Sequence, residues 1–350
     1  MEKTVGYAVV GLGVGQNHVK AAAKAEGGRL VAICDLRDDR LTETSAKFPE
    51  AKAYKSFEEM LKDPEIDVVS ICTPSGLHAD MAIQALRAGK HVLTEKPMDI
   101  VVDKIYEIDR VAKECGKKVG CIFQNRRNAV MEPIKKAVDE GRLGEIYTAF
   151  FRVNWYRSDR YFQESGGWRG TWAMDGGGSL MNQAVHTVDL MQWLLGDVKS
   201  IRSDMRIVNH NIETEDFTSS VIKFTSGAIV TFVSTTAAYP GFGTDIQLTG
   251  TKGSIHADGS KLVAWRLAGE SKEAEEAESA EMLAKYGSEA GTIAGSDNTI
   301  VRGHDFMIQD MIDAVRFDRD PFVGPQEAVK AVRIINAIYE SARTGKEIVF

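Results

Sequence analysis

A run of three closely spaced glycines, Val9-Val10-Gly11-Leu12-Gly13-Val14-Gly15-Gln16, joins an apolar segment to a segment with helical spacing. Glycines at such a junction permit a tight turn and let a pyrophosphate approach the backbone at a helix N-terminus. Asp35 follows Gly11 by 24 residues, at the end of the next apolar run. The glycine pattern alone is weak evidence, but strand, turn, helix and downstream acid together specify a dinucleotide site. Gly11, Leu12, Gly13, Val14, Gly15 and Gln16 then form the pyrophosphate turn, and Asp35, with Leu36 and Arg37 beside it, faces the adenosine ribose. An acid there accepts hydrogen bonds from the ribose and repels a 2′-phosphate, which favours NAD. Arg37 is the feature that would admit NADP, unless it is a solvated loop charge. Gln16 stands where the pattern has its third glycine and Gly15 comes one place early, so the first helix is expected to pack slightly farther from the sheet.

The first third of the chain continues this alternation. Strands are expected at Val5–Val10, Leu30–Cys34, Val68–Thr73, His91–Thr94 and Lys118–Phe123, with helices at Ala79–Ala88 and Asp103–Cys115, each stopped by a glycine. Such alternation implies an α/β Rossmann domain with a parallel sheet. After about Asn125 the rhythm changes. A helix near Ala129–Glu140 and a strand Glu145–Trp155 precede the Gly-rich stretch Gly166–Ser179 and a strong helix, Leu180–Leu195, stopped by Gly196. Strands then follow at Ser200–Val208, Phe217–Phe224, Ala228–Ser234, Thr244–Thr249 and Ser254–His256, joined by turns short enough to imply antiparallel neighbours. Residues 270–291 read as an exposed helix or a loop, and helices near Gly303–Phe317 and Gln326–Arg343 close the chain. The expected division is a dinucleotide-binding domain over 1–125 and, over 126–350, an α+β domain with an open, mainly antiparallel sheet, whose C-terminal helix can pack back on the first domain.

Composition excludes several function classes. The net charge of −7 and the absence of a Lys/Arg run argue against a nucleic-acid surface. No leader is visible in Met1-Glu2-Lys3-Thr4, and no apolar stretch approaches the ~18–20 residues that cross a bilayer. Cys34, Cys72, Cys115 and Cys121 lack redox or zinc spacing and read as reduced and structural, consistent with a cytoplasmic protein that has no membrane partner. No His, Asp or Glu set shows metal-ligand spacing, so no metal is expected.

Chemistry concentrates at strand ends. Thr73-Pro74-Ser75-Gly76-Leu77-His78 and Thr94-Glu95-Lys96-Pro97 end two strands, at the edge where α/β sheets bind ligands. Thr73, Pro74, Ser75 and His78 are candidate dinucleotide contacts, although His78 can equally be a plain helix N-terminal residue. A cis Lys96–Pro97 bond would fix the lysine's direction; a solvated surface Lys is the alternative. In the helix, Asn182, His186, Asp189 and Trp193 fall on one face, opposite Leu180, Ala184, Val188, Met191 and Leu195. That stripe suggests a lined cleft, against the alternative of a core histidine bonded to Asp189.

Glu95-Lys96-Pro97, the Thr-Pro-x-x-x-His run at 73–78, and Gly176-Gly177-Gly178 leading to Asn182-x-x-x-His186-x-x-Asp189 together resemble the glucose–fructose oxidoreductase/inositol dehydrogenase (Gfo/Idh/MocA) family. Phe123-Gln124-Asn125-Arg126 and Ser341-Ala342-Arg343-Thr344-Gly345-Lys346 extend the resemblance over nearly the whole chain. It implies an NAD(P)-dependent dehydrogenase or reductase acting on a secondary hydroxyl or ketone of a sugar, sugar derivative or polyol. It also implies Lys96 and His186 as the catalytic pair, Glu95, Lys96 and Gln124 beside the cofactor, and a homodimer or homotetramer joined through the second sheet. Many members carry Asp where this chain has Asn182, which can orient a hydroxyl but not take its proton. A free histidine has a pKa of ~6.5, whereas a lysine starts at ~10.4, so His186 is assigned as acid/base and Lys96 as the group polarising the reacting oxygen, with exchanged roles open. Trp168 and Arg169 would cover the nicotinamide or stack on the sugar. Asn182 and Trp172 are candidate substrate contacts, with packing equally open for Trp172; Tyr156, Arg157, Tyr161 and His304 are weaker ones, for which a surface or packing role is the default. Two other functions share these features: a redox-neutral NAD-dependent glycosidase and a non-catalytic nucleotide-binding regulator.

Overall fold

The computed structural model describes residues 4–287 and 303–350 and divides into two compact units. The first contains residues Met1–Gln124 and Arg302–Val332, and the second Asn125–Val301 and Arg333–Phe350.

In the first unit, β1 (Val5–Val10), α1 (Gly15–Ala22), β2 (Gly28–Cys34), α2 (Asp38–Lys47), β3 (Lys52–Tyr54), α3 (Phe57–Leu61), β4 (Val68–Ile71), α4 (His78–Arg87), β5 (His91–Thr94), α5 (Val102–Cys115) and β6 (Val119–Cys121) alternate as expected. All six strands pair in parallel, in the order β3-β2-β1-β4-β5-β6. The order reverses beside β1, and it is outside the strand C-termini at such a switch point that open α/β sheets bind ligands. Every residue of β1 is buried, as a strand covered on both faces requires. Gly116 ends α5 in the left-handed conformation at φ 62°, the stop its position implied. The three-residue β3 was missed because Lys-Ala-Tyr carries no apolar alternation.

The second unit contains α6 (Met131–Asp139), β7 (Ile146–Asn154), α7 (Asp159–Gln163), a π-helical turn (Ser179–Ala184), α8 (Val185–Leu195), β8 (Val198–Arg206), β9 (Phe217–Phe224), β10 (Ile229–Thr235), β11 (Gly243–Gly250), β12 (Gly253–Asp258), β13 (Lys261–Leu267) and α9 (Lys272–Tyr286). Then come α10 (His304–Arg316), which belongs to the first unit, α11 (Pro325–Thr344) and β14 (Ile348–Val349). The stretch expected to be helix or loop is therefore helix over Lys272–Tyr286, while residues 288–291 lie outside the described ones. The sheet runs β13-β12-β11-β7-β10-β9-β8-β14. Only β7 and β10 pair in parallel; every other neighbouring pair is antiparallel. Burial alternates with period two, as in β10, where Val230, Phe232 and Ser234 are buried and Ile229 and Thr231 are exposed. The π-helical turn and α8 lie against β7, β9 and β10. The opposite face keeps Val221 47% and Ile229 49% exposed.

Two sequence expectations need correction. Helix Leu180–Leu195 is not uniformly α-helical: residues 179–184 form a π-turn, a form frequent at functional sites. Helix α1 does not stand off the sheet. A Cβ on Gly15 would lie 3.1 Å from Val9 Cγ1 and 3.3 Å from Cys72 Cβ, so Gly15 itself provides the close packing.

Candidate active site

The glycine turn is built for close backbone approach. Gly11 has φ +87°, and a Cβ there would lie 2.5 Å from the Cys72 carbonyl oxygen. Gln16, the residue in place of the third glycine, turns its amide to Thr44 Oγ1 at 2.5 Å. At the end of β2, Asp35 accepts from the Leu12 N–H at 2.7 Å through Oδ2 and from the Arg37 N–H at 2.9 Å through Oδ1. A carboxylate has about four lone-pair sites. Two thus remain for ribose hydroxyls, and this geometry fits a dinucleotide. Leu36 is 84% exposed beside it. The Arg37 side chain instead pairs with Asp39, with Nε 3.0 Å from Oδ1. Arg40, which the sequence reading passed over, lies 3.6 Å from Asp35 Oδ2 and 3.4 Å from the Cβ position of Gly13.

After β4, Ser75 is buried and Thr73 Oγ1 reaches Met81 Sδ at 3.4 Å. His78 is buried, with Nδ1 2.7 Å from the Pro97 carbonyl oxygen and Nε2 2.8 Å from that of Thr73. It therefore braces the two loops, Thr73–Pro74 and Lys96–Pro97, that carry the candidate residues. The Lys96–Pro97 bond is cis, and the Lys96 side chain is half-buried. Gln124 is buried, and its Oε1 has no partner among the described residues, leaving an acceptor for a ligand N–H.

In the second unit, the approach to the π-turn is closed to any side chain. A Cβ on Gly177 would meet the Tyr339 hydroxyl at 2.0 Å, and one on Gly178 the Glu215 carbonyl oxygen at 2.0 Å. Glu215 is wholly enclosed and accepts from Gly178 N–H, Leu180 N–H and Tyr339 O–H at 3.0, 2.8 and 3.1 Å. Burial outweighs these bonds and pushes its carboxyl up to about 7. Asn182 and Gln183 project from the π-turn into a polar network. Asn182 Nδ2 donates to Asp175 at 2.6 Å, and its Oδ1 accepts from the Tyr161 hydroxyl at 3.2 Å and from Gln183 Nε2. Gln183 also donates to the Tyr161 oxygen at 2.7 Å and accepts from Arg157 Nη2 at 2.8 Å. Arg157 lies 5.1 Å from the Trp155 and Tyr161 ring centroids. His186 is buried on the first turn of α8.

Residues 5–123 match the oxidoreductase family described as NAD-binding Rossmann fold, and residues 131–256 match the GFO/IDH/MocA C-terminal domain. The chain belongs to the Gfo/Idh/MocA family. Among solved structures, the WlbA dehydrogenase from Chromobacterium violaceum, in complex with NADH and UDP-GlcNAcA, aligns with TM-score 0.88 and 31% identity over 100% of this chain and 97% of that one. The Bordetella pertussis WlbA dehydrogenase, with the same two ligands, gives 0.87 and 30% over 99% and 98%. The myo-inositol 2-dehydrogenase of Thermotoga maritima is 29% identical over 264 residues, covering 71% of this chain and 74% of that protein. As a Gfo/Idh/MocA member the chain is an NAD(P)-dependent sugar or polyol oxidoreductase with an NAD-binding domain. Among the described residues no helix is long and apolar enough to cross a membrane.

The other residues singled out from the sequence have well-defined surroundings. Arg126 holds Asp189 through two bonds, Nε–Oδ2 2.8 Å and Nη2–Oδ1 2.7 Å, with both groups buried. Trp172 donates its indole N–H to the Glu213 carbonyl at 3.1 Å, packs edge-on with Tyr339 and lies under the Arg343 guanidinium. Arg169 lies 4.2 Å from the Tyr161 ring centroid and 5.6 Å from that of Trp168. Tyr156 packs edge-on to Tyr239. His304, one of the weaker substrate candidates, is buried beside Glu95 and His18. The three groups' ligand atoms fall within 4.8 Å of one another, a proximity that linear spacing conceals because 18, 95 and 304 lie far apart in the chain. His18, Arg40, Tyr161, Asp175, Gln183 and Glu215 were absent from the expected site or stood at its margin. Asp175 and Gln183 flank the Gly176–Asn182 motif, which could have flagged them, whereas His18, Arg40 and Tyr161 lie on helices with no local signal.

Proposed function

We propose that this chain is an NAD-dependent dehydrogenase acting on a secondary hydroxyl of a sugar or sugar derivative. The observation that carries the cofactor half is Asp35, fixed by two backbone N–H groups at the end of β2 with lone pairs left for ribose hydroxyls. When bound, the nicotinamide would supply the hydride acceptor for oxidation at a carbinol carbon, or the hydride donor for the reverse direction. In this reading the protein's own groups do the rest. His186 takes the hydroxyl proton, and Lys96 polarises the oxygen from which it leaves, so negative charge on that oxygen meets a cation. Asp175, Tyr161, Asn182 and Gln183 form a prebuilt polar surface of the kind that orients sugar hydroxyls.

The two WlbA dehydrogenases, each at least 30% identical over nearly the full chain and holding UDP-GlcNAcA, support putting UDP-linked sugars first among substrates. The test is a screen of UDP-sugars, inositols and free sugars with NAD and NADP, reading absorbance at the reduced nicotinamide. Net NADH formation supports the dehydrogenase. Bond cleavage without net NADH would select the redox-neutral glycosidase, and ligand binding without any turnover the regulator. The exposed Val221 and Ile229 on one face of the second sheet further support a homodimer or homotetramer joined there. Light scattering that gives a single 38.4 kDa particle would contradict that assembly.

A further inference from the structure

Glu95 precedes Lys96 in the chain, yet its side chain turns inward and is buried. Its Oε1 lies 3.0 Å from His18 Nε2 and 3.0 Å from His304 Nε2, and its Oε2 accepts the Lys96 backbone N–H at 3.1 Å. A carboxylate only accepts, so both histidines must donate through Nε2. With Nε2 protonated, neutral His18 presents a bare Nδ1, which lies 2.9 Å from Ser70 Oγ. Ser70 then donates to His18 and accepts from the Tyr7 hydroxyl at 2.6 Å. Every hydrogen of the chain Tyr7–Ser70–His18–Glu95 is thereby assigned in one direction. Burial lowers the His18 pKa, in keeping with the neutral ring. Burial pushes Glu95 up, but the bonds from His18 and His304 outweigh it and hold the carboxyl well below its usual range. On the other side of Lys96, the Pro97 carbonyl is fixed by His78 at 2.7 Å. The catalytic candidate therefore sits between two clamped neighbours.

We propose that Glu95 is a positioning residue whose carboxylate, gripped by His18 and His304, fixes the Lys96 peptide and so aims the Lys96 amine. This rests on the reading of Lys96 as the group that acts on the substrate oxygen. His304 contributes from α10, some 200 residues away in sequence, so the first unit's catalytic loop is held by its C-terminal segment. The buried His–Glu–His set resembles metal ligands in proximity, but Glu95 already accepts three hydrogen bonds and both histidines face it through Nε2.

Glu95→Gln keeps the shape and supplies only one acceptor oxygen. An amide N–H then faces either the Lys96 N–H or a histidine N–H, and one bond must open. Crystal structures of the parent and of Glu95→Gln test the positioning without any substrate. The expected result is a displaced Lys96 peptide and side chain; a loop superimposable on the parent would overturn the proposal. Turnover of the substrate found in the screen tests the consequence. A lost hydrogen bond to a charged group corresponds to about a ten- to hundredfold fall in kcat, with the KM for NAD nearly unchanged. His304→Leu should show the same loss, and His304→Gln, whose Nε2 can still donate, should recover much of it. Equal activity of the Leu and Gln variants would mean that His304 only fills space. One equivalent of bound metal in the purified protein would replace the hydrogen-bond chain altogether. Failure of the underlying reading looks different: Lys96→Ala would turn over normally even if Glu95→Gln displaced the loop.

Discussion

The glycine turn of the first unit and the π-turn of the second place chemistry by different means. In the first, the backbone does the recognition: Gly11, the Leu12 N–H and the Arg37 N–H are main-chain features, and Asp35 is one side chain they hold. In the second, side chains from Arg157, Tyr161, Asp175, Asn182 and Gln183 hold one another. A backbone-built site depends on a few short segments, each with its own local sequence signal. A site made of side chains from several segments exists only once the chain has folded. Substitutions should therefore act locally in the first unit and spread in the second.

The largest effect expected is on the chemical step. Lys96→Ala and His186→Ala should each lower kcat by about 10²–10⁴, the usual share of a general acid–base group. NADH titration should give nearly the parent affinity for both, since neither residue belongs to the glycine turn or to Asp35. A His186→Ala variant that transfers hydride at the parent rate in single turnover would make the histidine a packing residue.

The second expected effect concerns the cohesion of the second unit. Arg126 and Asp189 are 4% and 1% exposed at their side chains and bond each other twice. Removing one partner strands a buried charge, which costs about 3–5 kcal/mol. Arg126→Met should therefore lower the thermal midpoint strongly, and the double variant Arg126→Met/Asp189→Leu should restore much of it. If the single variant melts with the parent, the pair is not holding α8 in place.

This contrast also explains what could be read in advance. The parallel sheet of the first unit followed from β/α alternation and one glycine motif, because parallel strands buried on both faces are plain apolar runs. The antiparallel sheet was legible from the turns at 225–227 and 250–253, but β13 was not, because its register shifts at His256/Ala257 and disturbs the alternation. Sequence placed Lys96 at a strand end and His186 in a helix. It could not show that residues 179–184 adopt a π-turn, since a 3.6-residue period was assumed throughout. Nor could it pair Asp189 with Arg126 across 63 residues, or Glu95 with His304 across 209.

Third in size is a pH effect at the π-turn. Glu215 is raised from 4.5 to about 7 by burial. Between those values the folded chain binds a proton that the unfolded chain has released. Its contribution is full below about 4.5 and is lost as pH rises through 7. At 1.36 kcal/mol per unit the change approaches about 3 kcal/mol across that window. Denaturant titrations from pH 5 to 8 should show the parent losing stability more steeply than Glu215→Gln. The difference between the two curves isolates Glu215 from His210, whose raised pKa acts in the same direction. Parallel curves would show that Glu215 is ionised throughout.

The smallest effect expected lies in the backbone-built site and sharpens the comparison most, because a single side chain decides it. Asp35 is 8% exposed, so its negative charge is poorly screened by water where a 2′-phosphate would sit. Like charges at that distance disfavour NADP, and the parent should show the higher kcat/KM with NAD. Arg37 is the only counter-argument within the loop, and it is engaged with Asp39 at the surface. Exposed pairs of this kind contribute little, so Arg37 can be recruited at small cost once the opposing acid is gone. Asp35→Ser should therefore narrow the NAD-over-NADP ratio by about tenfold, or 1.4 kcal/mol. It should do so without altering kcat for the better cofactor, because Asp35 is remote from the reacting carbon. A parent enzyme with higher kcat/KM for NADP would show that Arg37 or Arg40, not Asp35, governs the choice. In that case the ribose end of the first unit, like the second unit, would be set by side chains that meet only in the fold.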